Sequence, residues 1–168
     1  MVVLRFSLQL MALAGATAIS TAPAAALSVA LPPAAGFHIG NQQQAGGAVL
    51  VELVPVGQTV QRFNKMITLR TTPGAGQIPS ATYVATFAKR YQATCPGSTA
   101  AVVNMGKGLA GIRIDCSRHP NTGKPETVFA RALPVGPDMA MVQFMTAYMT
   151  MPTEAQWARN YLGSVTLR

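Results

Sequence analysis

Acid is what this chain lacks most: Asp and Glu together number 5 in 168 residues, against 13 Lys and Arg. The positive balance therefore comes from missing carboxylates more than from abundant bases. No basic run exceeds Lys89-Arg90, and no Lys/Arg cluster is interleaved with stacking aromatics. That pattern excludes the usual nucleic-acid readers. Beyond residue 26 no apolar run approaches the roughly 20 residues that a membrane-spanning helix needs. G-x-S-x-G, H-E-x-x-H, P-loop and dinucleotide fingerprints are all missing. The two histidines, His38 and His119, lie far apart in the chain. Asp115, Ser117 and His119 sit too close together to aim at one another as a triad. The expectation is a protein that is not an enzyme.

What is present begins with an export signal. Arg5 precedes an apolar run from Leu8 to Ile19, and Ala24-Ala25-Ala26 follows. A charged start, a short apolar centre and small residues at a cleavage site form the three-part secretory pattern. It predicts a signal peptide over 1–26 and a periplasmic or secreted destination. Without Arg5, 12 of the 13 basic residues face 5 acidic ones, a net charge of +7. A diffuse positive field of that kind suits an anionic envelope component or an envelope protein as partner.

Residues 27–47 are rich in Ala, Pro, Gly and Gln and read as a flexible or extended lead-in. A single domain over 48–168 is expected after it. Ala48 to Val54 is β-branched and stops at Pro55; Thr59 reads as the cap of a short helical turn to Lys65. Met66 to Thr72 alternates as a strand. Ser80 reads as the N-cap of a helix with Tyr83, Val84, Phe87 and Tyr91 on one side. Cys95-Pro96-Gly97 stops it. A hairpin from Thr99 to Cys116 follows, then strands at Thr127–Leu133 and Met139–Tyr148. The last element is a helix, capped by Thr153, that carries Trp157, Tyr161 and Leu162. The order ββαββββα predicts an α+β fold: a twisted, mostly antiparallel sheet of about six strands with two covering helices.

Three groups of side chains invite a function. Cys95 and Cys116 are the two cysteines of the chain. In an exported domain they are expected to pair, closing a loop of about 20 residues worth about 3 kcal/mol. That pairing also consumes the thiolates that Cys116-Ser-Arg-His119, with Asp115, His38 and Cys95, would otherwise bring to a zinc site. Met139, Met141, Met145, Met149 and Met151 crowd into thirteen residues. In an extended chain they share one face. Core filling explains them, with a soft thioether set for Cu(I) as the alternative. Apart from copper, no cofactor is implied. Arg62, Lys65 and Arg70 are the basic residues expected to form a partner-binding patch. The function expected is that of a non-catalytic binding or scaffolding protein meeting an envelope or secreted protein, with periplasmic Cu(I) binding as the alternative.

Val51-Glu-Leu-Val-Pro-Val-Gly-Gln-Thr-Val60, Met66-Ile-Thr-Leu69, Cys95-Pro-Gly97 and Trp157-x3-Tyr-Leu162 resemble the pattern of a family of small exported bacterial proteins. The element order is also similar to that of the α/β/α sandwiches of the Mog1/PsbP/DcrB-like group. The resemblance implies a fold and carries over no site residue.

Overall fold

Two antiparallel meanders zipped together make the sheet. The computed structural model describes residues 28–106 and 108–168; the expected signal segment, 1–26, lies outside them. The first meander is β2 (Phe37–Ala45), β3 (Ala48–Pro55) and β4 (Lys65–Thr72). The second is β5 (Thr99–Asn104), β6 (Ala110–Cys116), β7 (Glu126–Val135) and β8 (Asp138–Thr146). They join where β4 pairs with β8, from Lys65↔Thr146 to Thr72↔Met139. The seven-stranded order is β2-β3-β4-β8-β7-β6-β5, antiparallel throughout. A separate two-stranded ladder pairs β1 (Val29–Ala30) with β9 (Thr166–Leu167).

Helix α1 (Ser80–Thr94) covers one face of the second meander, and α2 (Pro152–Gly163) covers the other. Strand parity sorts the core between them. Val84 and Ala88 of α1 pack with Ile112, Ile114, Val128, Met139 and Met141. Ala158 and Leu162 of α2 pack with Ile67, Phe129, Val142 and Phe144. β7 and β8 are thus buried on both faces, which is why their sequences read as near-continuous apolar runs. Arg131 fastens α2 to β7: its Nη1 donates to the Leu162 carbonyl at 2.8 Å and the Val165 carbonyl at 3.2 Å. A cation there meets the negative end of the helix. The Cys95–Cys116 disulfide ties the C-terminal end of α1 to the last residue of β6.

The α+β class and antiparallel sheet agree with expectation; the strand count and the order do not, the expected ββαββββα being ββββαββββαβ. The main sheet has seven strands instead of about six, because Phe37–Ala45, expected within the lead-in, is a nine-residue edge strand. Its sequence, FHIGNQQQA, has no apolar alternation, since an edge strand is held by one ladder of backbone bonds and a bulge between Ile39 and Asn41 breaks its register. Gly46 and Gly47, both with positive φ, make the two-residue turn into β3. The expected helical turn before Lys65 is replaced by a tight Thr59–Arg62 bridge. Neither expected cap forms: Pro79 and Met151 occupy the N-cap positions without side-chain bonds, and Pro152 at N1 opens α2.

Gly163 is where α2 presses hardest on the β5–β6 loop. A Cβ there would sit 1.8 Å from the Met105 carbonyl oxygen. Helix propensity alone favours Ala over Gly by about 1 kcal/mol, so the sign of the change is informative. Gly163→Ala is expected to destabilise by about 3 kcal/mol or more in urea unfolding. A neutral or stabilising result would mean that α2 and the loop do not meet as described.

Candidate functional site

One end of the sheet on the α2 side gathers the charged and aromatic groups that the core leaves over. Lys65 opens β4 and, by its pairing with Thr146, points to the α2 face. Its Nζ lies 2.6 Å from Oε1 of Glu154, in the first turn of α2. The Tyr148 hydroxyl donates to the same oxygen at 2.8 Å. Trp157, one turn on from Glu154, shares that side of the helix. Its ring meets Phe144 edge-on with centroids 5.1 Å apart, and stacks on Tyr161 at 5.1 Å and on Phe37 at 6.2 Å. Tyr161 in turn donates to the Pro32 carbonyl, which holds the incoming chain against the helix.

Beside these groups lies an open cavity of about 510 Å³, lined by Pro33, the stacked rings of Phe37 and Trp157, and Phe144, with Lys65 and Glu154 as its charged lining. Its size is that of a ligand pocket, and a mostly apolar wall with a few convergent polar groups is the usual composition of one. Trp157 keeps 39 % of its surface exposed although three rings fix its orientation. The Glu154 carboxylate raises the pKa of Lys65, against the opposing effect of burial. Burial, and then the hydrogen bond to Glu154, raises that of Tyr148. Both therefore stay protonated at neutral pH and act as donors.

The residues singled out from the sequence are distributed differently. Lys65 and Arg70 lie five apart on one strand, so they project from opposite faces; Arg70 pairs with Met141 on the α1 side. Arg62 is exposed in the turn before β4. The expected three-residue basic patch is therefore divided by the sheet. The methionines are divided too. Met139 and Met141 are fully buried under α1, and Met145 packs at the edge of the same cluster. Met149 and Met151, past the strand end, are 44 % and 64 % exposed. Among the described residues no group of three His, Cys, Asp or Glu side chains is placed to hold a metal ion, and no helix is long and apolar enough to cross a membrane.

Every one of the five carboxylates is already engaged inside the protein. Glu154 holds Lys65 and Tyr148, and Asp115 takes Arg113 and the Thr127 hydroxyl. Glu126 accepts from Tyr91, Glu52 from Asn41, and Asp138 from the Gly74 N–H. Asp115 is thus unavailable to His119, which packs its ring near Tyr91 instead. The Lys65–Tyr148–Glu154 group escaped sequence reading because its members come from three elements. The one signal for it was the i, i+3 spacing of Glu154 and Trp157 on an otherwise ordinary helix.

The raised pKa values have a readable consequence. Lys65 normally titrates near 10.5 and Tyr148 near 10.0. Burial pushes Tyr161 up to about 12, and burial plus Glu126 raises Tyr91 as well. In each case the folded state holds its proton more tightly than the unfolded chain. The stabilisation is therefore complete below about pH 10 and lost as pH climbs through the folded values. Unfolding free energy is expected to fall above that point, and less steeply in Lys65→Met/Tyr148→Phe; equal slopes would show that the pair contributes nothing. Compared with known proteins, the chain matches no protein-family model and no curated protein.

Proposed function

We propose that this chain is an exported, non-catalytic binding protein that engages an envelope or secreted protein through the Trp157 pocket. The observation that carries the reading is Trp157 itself: a large ring left partly exposed, yet already oriented by Phe37, Phe144 and Tyr161. Aromatic anchors held in a fixed orientation lose little freedom on binding, which is why they dominate interface energetics. Lys65 and Glu154 at the polar end supply a charged rim of the kind that sets orientation more than affinity. The raised pKa values of Lys65 and Tyr148 favour binding over proton transfer, because a general acid or base works best with a pKa near the operating pH.

The test is photo-crosslinking in the producing cell from a benzoylphenylalanine placed at Thr153, on the pocket rim. A discrete protein adduct is expected, falling about tenfold or more in Trp157→Leu, which preserves an apolar contact with Phe144. An adduct pattern indifferent to Trp157 would remove the pocket as the contact surface. Cu(I) binding, the second reading, would rest on Met149 and Met151, with Met139 and Met141 sealed under α1. Anaerobic Cu(I) titration is expected to give no stoichiometric adduct. One that vanished in Met149→Leu/Met151→Leu would restore the metal reading.

A further inference from the structure

A second cavity, of about 440 Å³, lies on the α1 side of the sheet, away from the Trp157 pocket. Strand and helix periodicity build it together. Arg70 and Thr72 alternate with the core-facing Leu69 and so look toward α1. On α1, Tyr83, Thr86, Phe87 and Arg90 fall at i, i+3, i+4 and i+7, one side of the helix. The buried residues of α1, Val84 and Ala88, belong to the core cluster over β6 and β7, so this side overhangs the corner above β4. Thr72 Oγ1 and Tyr83 Oη are hydrogen-bonded at 2.5 Å and bridge the two elements. Ile78 and Phe87 provide an apolar wall, with Ile78 41 % exposed.

Two guanidinium groups line this one cleft, and among the described residues neither Arg70 nor Arg90 has an ion-pair partner. The acids on the strands flanking β4 are hydrogen-bonded to other groups, as is Glu126, which accepts from Tyr91 next to Arg90. Glu52, paired with Thr68 two residues from Arg70, is bonded to Asn41, and Asp138 accepts from Gly74. The cleft thus brings two guanidinium groups, neither of them ion-paired, together between hydroxyls and an apolar wall. Arginine forks match the oxygens of phosphate, sulfate and carboxylate groups, and hydroxyls complete such a set.

We propose that the α1–β4 cleft binds an amphiphilic anion, its phosphate, sulfate or carboxylate head between Arg70 and Arg90 and its apolar part on Ile78 and Phe87. This site is separate from the Trp157 pocket, and the two stand or fall independently. Calorimetric titration of the oxidised protein with octyl phosphate, below its aggregation concentration, is expected to show one site. Affinity falls roughly tenfold in each of Arg70→Gln and Arg90→Gln. It is unchanged in Arg62→Gln, which removes one exposed charge at the other end of β4. It weakens with added salt, and octyl glucoside, with the same tail and no charge, does not bind. The proposal is overturned by absence of binding, by equal binding of octyl glucoside, or by undiminished binding in the Arg70→Gln/Arg90→Gln double variant. Sedimentation with phosphatidylglycerol vesicles, but not phosphatidylcholine vesicles, in an Arg70- and Arg90-dependent way assigns the head to a lipid. Octyl phosphate binding without sedimentation assigns it to a free amphiphile.

Discussion

The ladder between β4 and β8 is the joint on which everything else in this protein rests. Without it there are two meanders, each with an open edge; with it, β8 becomes a central strand and β7 its buried neighbour. Pairing alone does not make so long-range a joint stable, since backbone bonds to another strand largely replace bonds to water. What stabilises it is the apolar surface that closes over both sides: Met139 and Met141 beneath α1, Val142 and Phe144 beneath α2. The same joint sets the site geometry. It places Lys65, the first residue of β4, beside Thr146, the last residue of β8, and so within reach of the start of α2.

The scarcity of carboxylates shapes the electrostatics. With five acids, all of them bound to internal donors and two of them in ion pairs, the fold uses each as a fastener. Lys65 and Arg113 are the ion-paired cations among the described residues. The remaining basic groups among the described residues project outward, bond to carbonyls as Arg131 does, or line the α1–β4 cleft. A partner bearing negative charge therefore meets little internal competition, which follows from where the few acids sit more than from how many bases there are.

Much of the architecture was legible in the chain. The run from Thr127 to Thr146 is apolar at consecutive positions, and that is the mark of strands covered on both faces. Pro96 and Gly97 end α1 where their backbone preferences demand it. β2 was not legible from hydrophobicity, because its pairing is a backbone matter and most of its side chains after Phe37 face solvent; Gly46-Gly47 was the available signal. The split between Lys65 and Arg70 was available from parity alone. The pocket was not, since Glu154, Tyr148, Lys65 and Phe37 converge through tertiary pairing that local patterns do not encode.

The small β1–β9 ladder has a mechanical meaning. Ser28 and Arg168 exchange both backbone hydrogen bonds, at 3.0 and 2.9 Å, so these two positions lie side by side. A force drawing them apart acts across an antiparallel ladder and opens it one pair at a time, the weakest geometry for resisting load. Next in line is the Tyr161–Pro32 contact, and then the stacking of Phe37 on Trp157. Phe37 is the first residue of β2, so the seven-stranded sheet is reached only at that strand end. Tension between Ser28 and Arg168 would draw Pro33 and Phe37 away from the aromatic pocket while leaving the rest of the scaffold whole, so the pocket is the region most sensitive to a pull between these two positions.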